Sequence, residues 1–309
     1  MLVRNPPVRI TDELLMLGTP QYPLYLVETP GAMVLFEGGT GAVGPILLEQ
    51  LDALGIDRAR IRQLVVTHAH PDHVMAVPLL RRSFPGVAVL ASEAAARTLQ
   101  AEKAVAAFSH MDDALTDALH KAGAVAPEHR RMADEKQIAV DRVIGEGDTI
   151  AVDGLSFTVL ETPGHSDCSL SFFEPQQRVL VISDATGYYL PEPDFWWPNY
   201  FADYRKYLGS MERLAGLGAE VLCLSHNAAI RGAEDVAAYF AAAIAATRQY
   251  HARIVAEARS GKTVREIAEA LGAEVFRRTQ LLPVEFFQKN CGLLVKLSLR
   301  HEGIEPKPA

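Results

Sequence analysis

Six consecutive residues, His68-Ala69-His70-Pro71-Asp72-His73, place three imidazoles and one carboxylate within two turns of chain. They follow Ile61-Arg62-Gln63-Leu64-Val65-Val66-Thr67, an apolar run that predicts a buried strand opening into a loop. Imidazole and carboxylate at this spacing suit zinc, iron or manganese and leave room for bound water. A loop of six residues cannot enclose an ion by itself. A fold that uses this loop must therefore bring further ligands to the same place.

Three further candidates follow, each where a hydrophobic strand gives way to a loop with turn residues. His165 lies in Thr162-Pro163-Gly164-His165-Ser166, after the apolar run from Leu155 to Leu160. Asp184 ends the β-branched run Arg178-Val179-Leu180-Val181-Ile182-Ser183. His226 follows Val221-Leu222-Cys223-Leu224-Ser225. Ligands at strand ends are positioned by a rigid sheet, as a preorganised site requires. Taken singly they have plainer readings, His226 as a capped loop histidine and Asp184 as a turn former. Together, five histidines and two aspartates suffice for two adjacent metals.

Thr-His-Ala-His-Pro-Asp-His, then Thr-Pro-Gly-His-Ser, Ser-Asp-Ala and Ser-His-Asn resemble the metallo-β-lactamase superfamily in order and spacing, over roughly residues 12 to 230. The resemblance implies an α/β fold: a four-layer αββα sandwich of two mixed sheets, helices outside, metals at one edge. Carried over by position, it has His68, His70 and His165 hold one metal, Asp72, His73 and His226 the second, and Asp184 bridge them. The expected cofactors are thus two divalent ions, zinc first, with iron and manganese also compatible with these ligands. Where the family usually has Asp-x-Gly, this chain has Glu37-Gly38-Gly39 after Val34-Leu35-Phe36. Glu37 is expected to orient a ligand imidazole through its other ring nitrogen. Thr67 is either a hydrogen-bond partner within the ligand loop or only a strand-end residue.

Along the chain, residues 8 to 37 alternate short apolar runs with Pro and Gly turns, as antiparallel strands do. Helices are expected over Gly44 to Leu54 and Val74 to Ser83, with a strand at Val87 to Leu90. Ser92 to Phe108 and Asp112 to Ala122 predict two further helices, N-capped by Ser92 and Asp112. This helical insertion, about residues 92–131, exceeds what a strand connection needs and reads equally as a lid or as stabilising packing. After His226 the strand signals stop. Helices are expected over Glu234 to Arg259, from a Thr263–Glu266 capping box to Leu271 with Gly272 as the stop, and over Pro283 to Arg300. The expected organisation is a catalytic domain over residues 1–230 and a helical C-terminal subdomain over 231–309.

Composition excludes several classes. Apolar residues make up 49% and charged residues 22% of the 309, as in ordinary globular proteins. A net charge of −8 and scattered arginine pairs give no nucleic-acid footprint. No apolar stretch is long enough to span a membrane, and the start shows no signal-peptide pattern, so a cytoplasmic location is expected. The three cysteines, Cys168, Cys223 and Cys291, suggest no disulfide framework. Cys168, three residues after His165, reads as a soft ligand, a reactive thiol or a small pocket-lining residue. Oligomerisation remains open.

Two metals sharing a carboxylate hold a bridging water and depress its pKa towards neutrality, giving a hydroxide nucleophile. Asp72 is the expected catalytic side chain beside it. The expected chemistry is hydrolysis of a small-molecule substrate. Tyr188, Tyr189, Phe195, Trp196 and Trp197, soon after Asp184, suit an apolar or aryl acyl group as a substrate wall, or form a loop packed on its own domain. The helical insertion and helical C-terminus look like the quinolone-signal (2-aminobenzoylacetyl-CoA) thioesterase branch of the superfamily. An acyl thioester is the leading substrate class, because a thiol of pKa about 8.5 leaves without a strong general acid. Three alternatives stay open: a lactonase using Tyr188 or Tyr189 as donor, a mononuclear iron persulfide dioxygenase, and a regulatory protein with a residual hydrolase site.

Overall fold

The computed structural model describes residues 1–131 and 135–305. The last four residues of the expected C-terminal region lie outside the described residues. By internal contacts the chain forms two compact units. The first comprises Met1–Glu161, Cys168–Ser183 and Ala219–Val236; the second comprises Thr162–Asp167, Asp184–Gly218 and the chain from Ala237 onward.

The first unit holds two seven-stranded sheets. In one, the order is Val8–Arg9, Leu14–Gly18, Pro23–Glu28, Met33–Phe36, Ile61–Val65, Ala88–Ala91 and Arg142–Val143. Its first four strands form the antiparallel meander that the Pro and Gly turns predicted, and pairing is parallel from Met33–Phe36 onward. The other runs Leu2–Val3, Ala229–Arg231, Val221–Cys223, Val179–Val181, Leu170–Glu174, Leu155–Glu161 and Thr149–Val152. Its one parallel pair joins Val179–Val181 to Val221–Cys223.

The sheets share one apolar core. The Phe36 ring lies 5.1 Å from Phe157 and 5.0 Å from Phe172, so one aromatic of the first sheet packs on two of the second. Burying a side chain of this size contributes about 1.5–3 kcal/mol. Tyr25 is buried in the same core, and its hydroxyl donates to the Leu224 carbonyl at 2.7 Å, which satisfies its polar end. The parallel pairs place the candidate ligand loops. Met33–Phe36 and Ile61–Val65 run side by side into Glu37 and His68, while Val179–Val181 and Val221–Cys223 run side by side towards Ser183 and Ser225.

Helix Val43–Ala53 forms where expected, but three boundaries differ from the sequence reading. Pro71–His73 is a single 3₁₀ turn and the next α-helix starts only at Val77, because Val74 adopts a non-helical conformation. Ser92 does cap a helix, accepting from Ala95 N, but that helix ends at Gln100, where Ala101 turns extended. A new helix, Glu102–Lys121, then runs unbroken through Asp112, which caps nothing. Asp112 is instead fully buried in mid-helix, and its carboxylate accepts from the Gly41 amide at 2.7 Å. That tertiary hydrogen bond outweighs aspartate's modest preference for a cap.

In the second unit, Tyr188–Leu190 and Phe195–Trp197 pair as an antiparallel hairpin. Helix Tyr204–Ala215 is capped by Asp203, whose side chain accepts from Lys206 N. Helix Ala233–Arg259 lies in this unit from Ala237 on. The Thr263–Glu266 capping box is present, but its helix runs on to Thr279 through Gly272. A Cβ at Gly272 would stand 2.5 Å from Gln288 N and 2.6 Å from its Cα. The glycine therefore permits close approach of helix Val284–His301 and does not act as a stop. Among the described residues, no helix is long and apolar enough to cross a membrane.

Candidate metal centre

In the first unit the candidate ligand loop is held by Glu37. This side chain is 2% exposed, and its backbone is left-handed, with φ of 79°. Such a conformation costs a non-glycine residue of order 1–3 kcal/mol and persists only where the surroundings enforce it. Here Glu37 N donates to Val65 O at 3.0 Å and Gly38 N to His73 O at 3.0 Å. The carboxylate collects three partners. Thr67 Oγ1 donates to Oε1 at 2.9 Å, Ser225 Oγ donates to Oε1 at 3.3 Å, and His73 Nδ1 stands 2.8 Å from Oε2.

Partner chemistry fixes the tautomers. A carboxylate facing His73 Nδ1 requires that nitrogen to carry the hydrogen, and so does the Gln21 carbonyl, 2.9 Å from His226 Nδ1. Each ring then offers its lone pair at Nε2. Asp72 Oδ2 lies 3.4 Å from His73 Nε2 and 3.7 Å from His226 Nε2. The ligand atoms of Asp72, His73 and His226 all fall within 4.8 Å of one another. Two imidazole lone pairs and a carboxylate oxygen gathered this closely repel one another, and a divalent cation turns that repulsion into ligation.

His68 and His70 form a second pair in this unit. His68 Nε2 and His70 Nδ1 are 2.9 Å apart, while His68 Nδ1 lies 2.8 Å from Ser183 Oγ. Two nitrogens each ~2.0–2.1 Å from one ion stand about 3 Å apart, so this spacing fits a shared cation. Cys168 touches the same loop: its Sγ accepts from Ala69 N at 3.3 Å, and Ser92 Oγ donates to its carbonyl at 2.9 Å.

The second unit carries His165 and Asp184. His165 Nδ1 lies 2.8 Å from the Asn199 carbonyl, which places the hydrogen on Nδ1. Its Nε2 is 3.4 Å from Asp184 Oδ2, and both side chains are buried. Gly164 makes this geometry possible. Its φ is 129°, its carbonyl accepts from Ala202 N and Asp203 N at 3.0 and 3.1 Å, and a Cβ there would fall on the Tyr207 backbone. The Tyr207 hydroxyl accepts from Asn199 N at 3.3 Å, and burial pushes its phenol pKa well above the ordinary value, so it stays protonated.

The five aromatic candidates divide. Tyr189 stacks on Trp196 with centroids 4.3 Å apart and donates its hydroxyl to Asp194 Oδ1 at 3.0 Å. Phe195 lies under the Arg278 guanidinium at 4.8 Å. Tyr188, Tyr189, Phe195 and Trp196 are half-buried, whereas Trp197 is packed inside against Phe201 and Phe287. Ser183 and Ser225 were missed from sequence, although each directly precedes a candidate ligand. Gln21 and Asn199 act through backbone carbonyls, for which side-chain identity gives no signal.

The family model of the metallo-beta-lactamase superfamily matches residues 18–226, more than half of the chain. The chain belongs to this superfamily, and its mixed sheets with a C-terminal helical region are that α/β fold. The uncharacterized protein YobT of Bacillus subtilis (strain 168) is 27% identical over 161 residues, 52% of this chain and 60% of that protein. A hydroxyacylglutathione hydrolase of Stenotrophomonas maltophilia (strain R551-3) is 28% identical over 147 residues, 48% of this chain and 39% of the relative. The alignments thus span less than two thirds of either relative's length. A metallo-beta-lactamase family protein from Thermus thermophilus superposes with a TM-score of 0.67 at 22% identity, covering 96% of this chain and 95% of that one. At that identity the likeness establishes the fold.

Proposed function

We propose that this protein is a metal-dependent hydrolase of acyl thioesters. The observation that carries the metal is the common setting of His73, His165 and His226, each with Nδ1 against a protein acceptor and its lone pair at Nε2. In this reading His68, His70 and His165 hold one divalent ion, Asp72, His73 and His226 hold another, and Asp184 serves both. Zinc suits these donors best, and iron and manganese also accept them. Such ions, when bound, acidify water and polarise an acyl oxygen.

The residues of the chain do the rest. Glu37, Asn199 and Gln21 hold the ligand rings in orientation, so little reorganisation accompanies reaction. Asp72, whose side chain is 22% exposed, is the group placed to take up the proton that the attacking water loses. Water oxygen bonds to the acyl carbon, the carbon–sulfur bond breaks, and the thiolate leaves. A thiolate needs no strong acid to depart, given a thiol pKa of about 8.5. The thioester class draws support from the hydroxyacylglutathione hydrolase relatives, whose name describes hydrolysis of an acyl-glutathione. The half-buried Tyr188, Tyr189, Phe195 and Trp196 favour an apolar or aryl acyl group.

Thiol release from a panel of acyl-CoA and acyl-glutathione substrates, run beside lactones and a persulfide, tests the proposal. Thioester turnover that is abolished by chelation and restored by zinc is expected. Turnover of a lactone or persulfide, with none of any thioester, overturns it.

A further inference from the structure

His251, His301 and Glu302 gather three metal-ligating side chains that the centre described above does not use. His251 lies on helix Ala233–Arg259; His301 is the last residue of helix Val284–His301, and Glu302 is its C-cap. All three belong to the second unit. Each offers a ligand atom, and these atoms lie within 4.8 Å of one another. His251 Nε2 stands 3.3 Å from Glu302 Oε1, and the two imidazole rings are 5.4 Å apart, near perpendicular.

Three features set this group apart from a chance surface cluster. First, His251 is only 8% exposed, and among the described residues its Nδ1 has no hydrogen-bond partner, an arrangement that costs free energy in a purely structural role. Second, its ring is fixed by face stacking on Tyr204, with centroids 3.9 Å apart and planes within 15°, and the Tyr204 ring also meets His301 edge-on at 4.9 Å. Ligands whose orientation is locked by packing lose little entropy on binding. Third, the C-terminal end of an 18-residue helix carries partial negative charge that favours a cation. The neighbouring cation, Arg259, reaches Glu302 Oε2 at 3.5 Å, so it engages the oxygen other than the one facing His251.

We propose that His251, His301 and Glu302 bind a divalent transition-metal cation of the zinc class, fastening the end of helix Val284–His301 to helix Ala233–Arg259. Two imidazoles and a carboxylate form a borderline-soft donor set with a position left for water, which suits zinc and suits calcium or magnesium poorly.

The full chain, already holding whatever metal it carries on purification, is titrated with Zn²⁺ alone against a chromophoric competitor. Wild type is expected to take up one more ion per chain than either His301→Ala or Glu302→Gln. Zinc should also raise the melting temperature of wild type more than that of the variants. His301 and Glu302 are exposed at a helix end, so both variants are expected to fold, which circular dichroism checks. Equal stoichiometry in all three proteins overturns the proposal, as does an additional ion held alike by wild type and variants. Neither readout depends on hydrolytic activity.

Discussion

Glu37 and His73 meet at 2.8 Å, carboxylate oxygen to imidazole Nδ1, although Glu37 must adopt a left-handed backbone to make the contact. The cost of that conformation is offset by the hydrogen bonds that the same carboxylate accepts from Thr67 and Ser225. Strand Met33–Phe36 and the Thr67 and Ser225 loops thus converge on one side chain, which in turn orients one candidate ligand.

Replacing Glu37 with Gln keeps the shape but removes the charge that holds the hydrogen on His73 Nδ1. Losing such an outer partner of a metal-binding histidine typically costs about 10–100-fold in metal affinity or activity. Chelator competition on E37Q should show weakening in that range. Unchanged affinity would mean that His73 does not depend on Glu37 for its orientation.

Gly164→Ala forces a Cβ against the Tyr207 backbone, with Tyr207 Cβ only 2.6 Å away, at a φ that L-residues rarely adopt. Both effects are destabilising, by roughly 3 kcal/mol or more together. Gly209→Ala, within helix Tyr204–Ala215, meets nothing within 4 Å among the described residues and should gain up to about 1 kcal/mol from helix propensity. Urea midpoints should therefore move in opposite directions. A G164A protein as stable as wild type would contradict the packing described for the His165 loop.

Tyr25→Phe removes the donor that reaches Leu224 O at 2.7 Å and Ala228 O at 3.1 Å, the carbonyls flanking the His226 turn. A buried hydrogen bond lost this way costs about 1–2 kcal/mol. Denaturant titration of Y25F should show this loss with an unchanged slope. No loss would mean that the two carbonyls find other donors.

The meander, the strand ends bearing His68, His165, Asp184 and His226, and the Thr263–Glu266 capping box were legible because each depends on short-range pattern. The errors came where distant backbone decides. Gly272 reads as a helix stop until Gln288 is seen against it. Asp112 reads as a cap until Gly41 is seen offering it an amide. The partners that set the His165 and His226 tautomers are carbonyls of Asn199 and Gln21, and a carbonyl looks the same under every side chain.

Asp112 gives the molecule a pH dependence with a definite sign. Burial, opposed in part by the Gly41 amide and the Arg131 charge, raises its carboxyl pKa from the ordinary 3.8 to about 6. Between those values the folded protein keeps a proton that the unfolded chain has released. Stability should therefore fall as pH rises through this window, and the loss should be complete above about pH 6. The displacement corresponds to about 3 kcal/mol, at 1.36 kcal/mol per unit of pKa. Asp112→Asn cannot ionise and should lack this component. Denaturant titrations of wild type and D112N between about pH 4 and 7 should show wild type losing stability relative to the variant as pH rises. Stability curves that stay parallel across the range would refute the assignment of a raised pKa to Asp112.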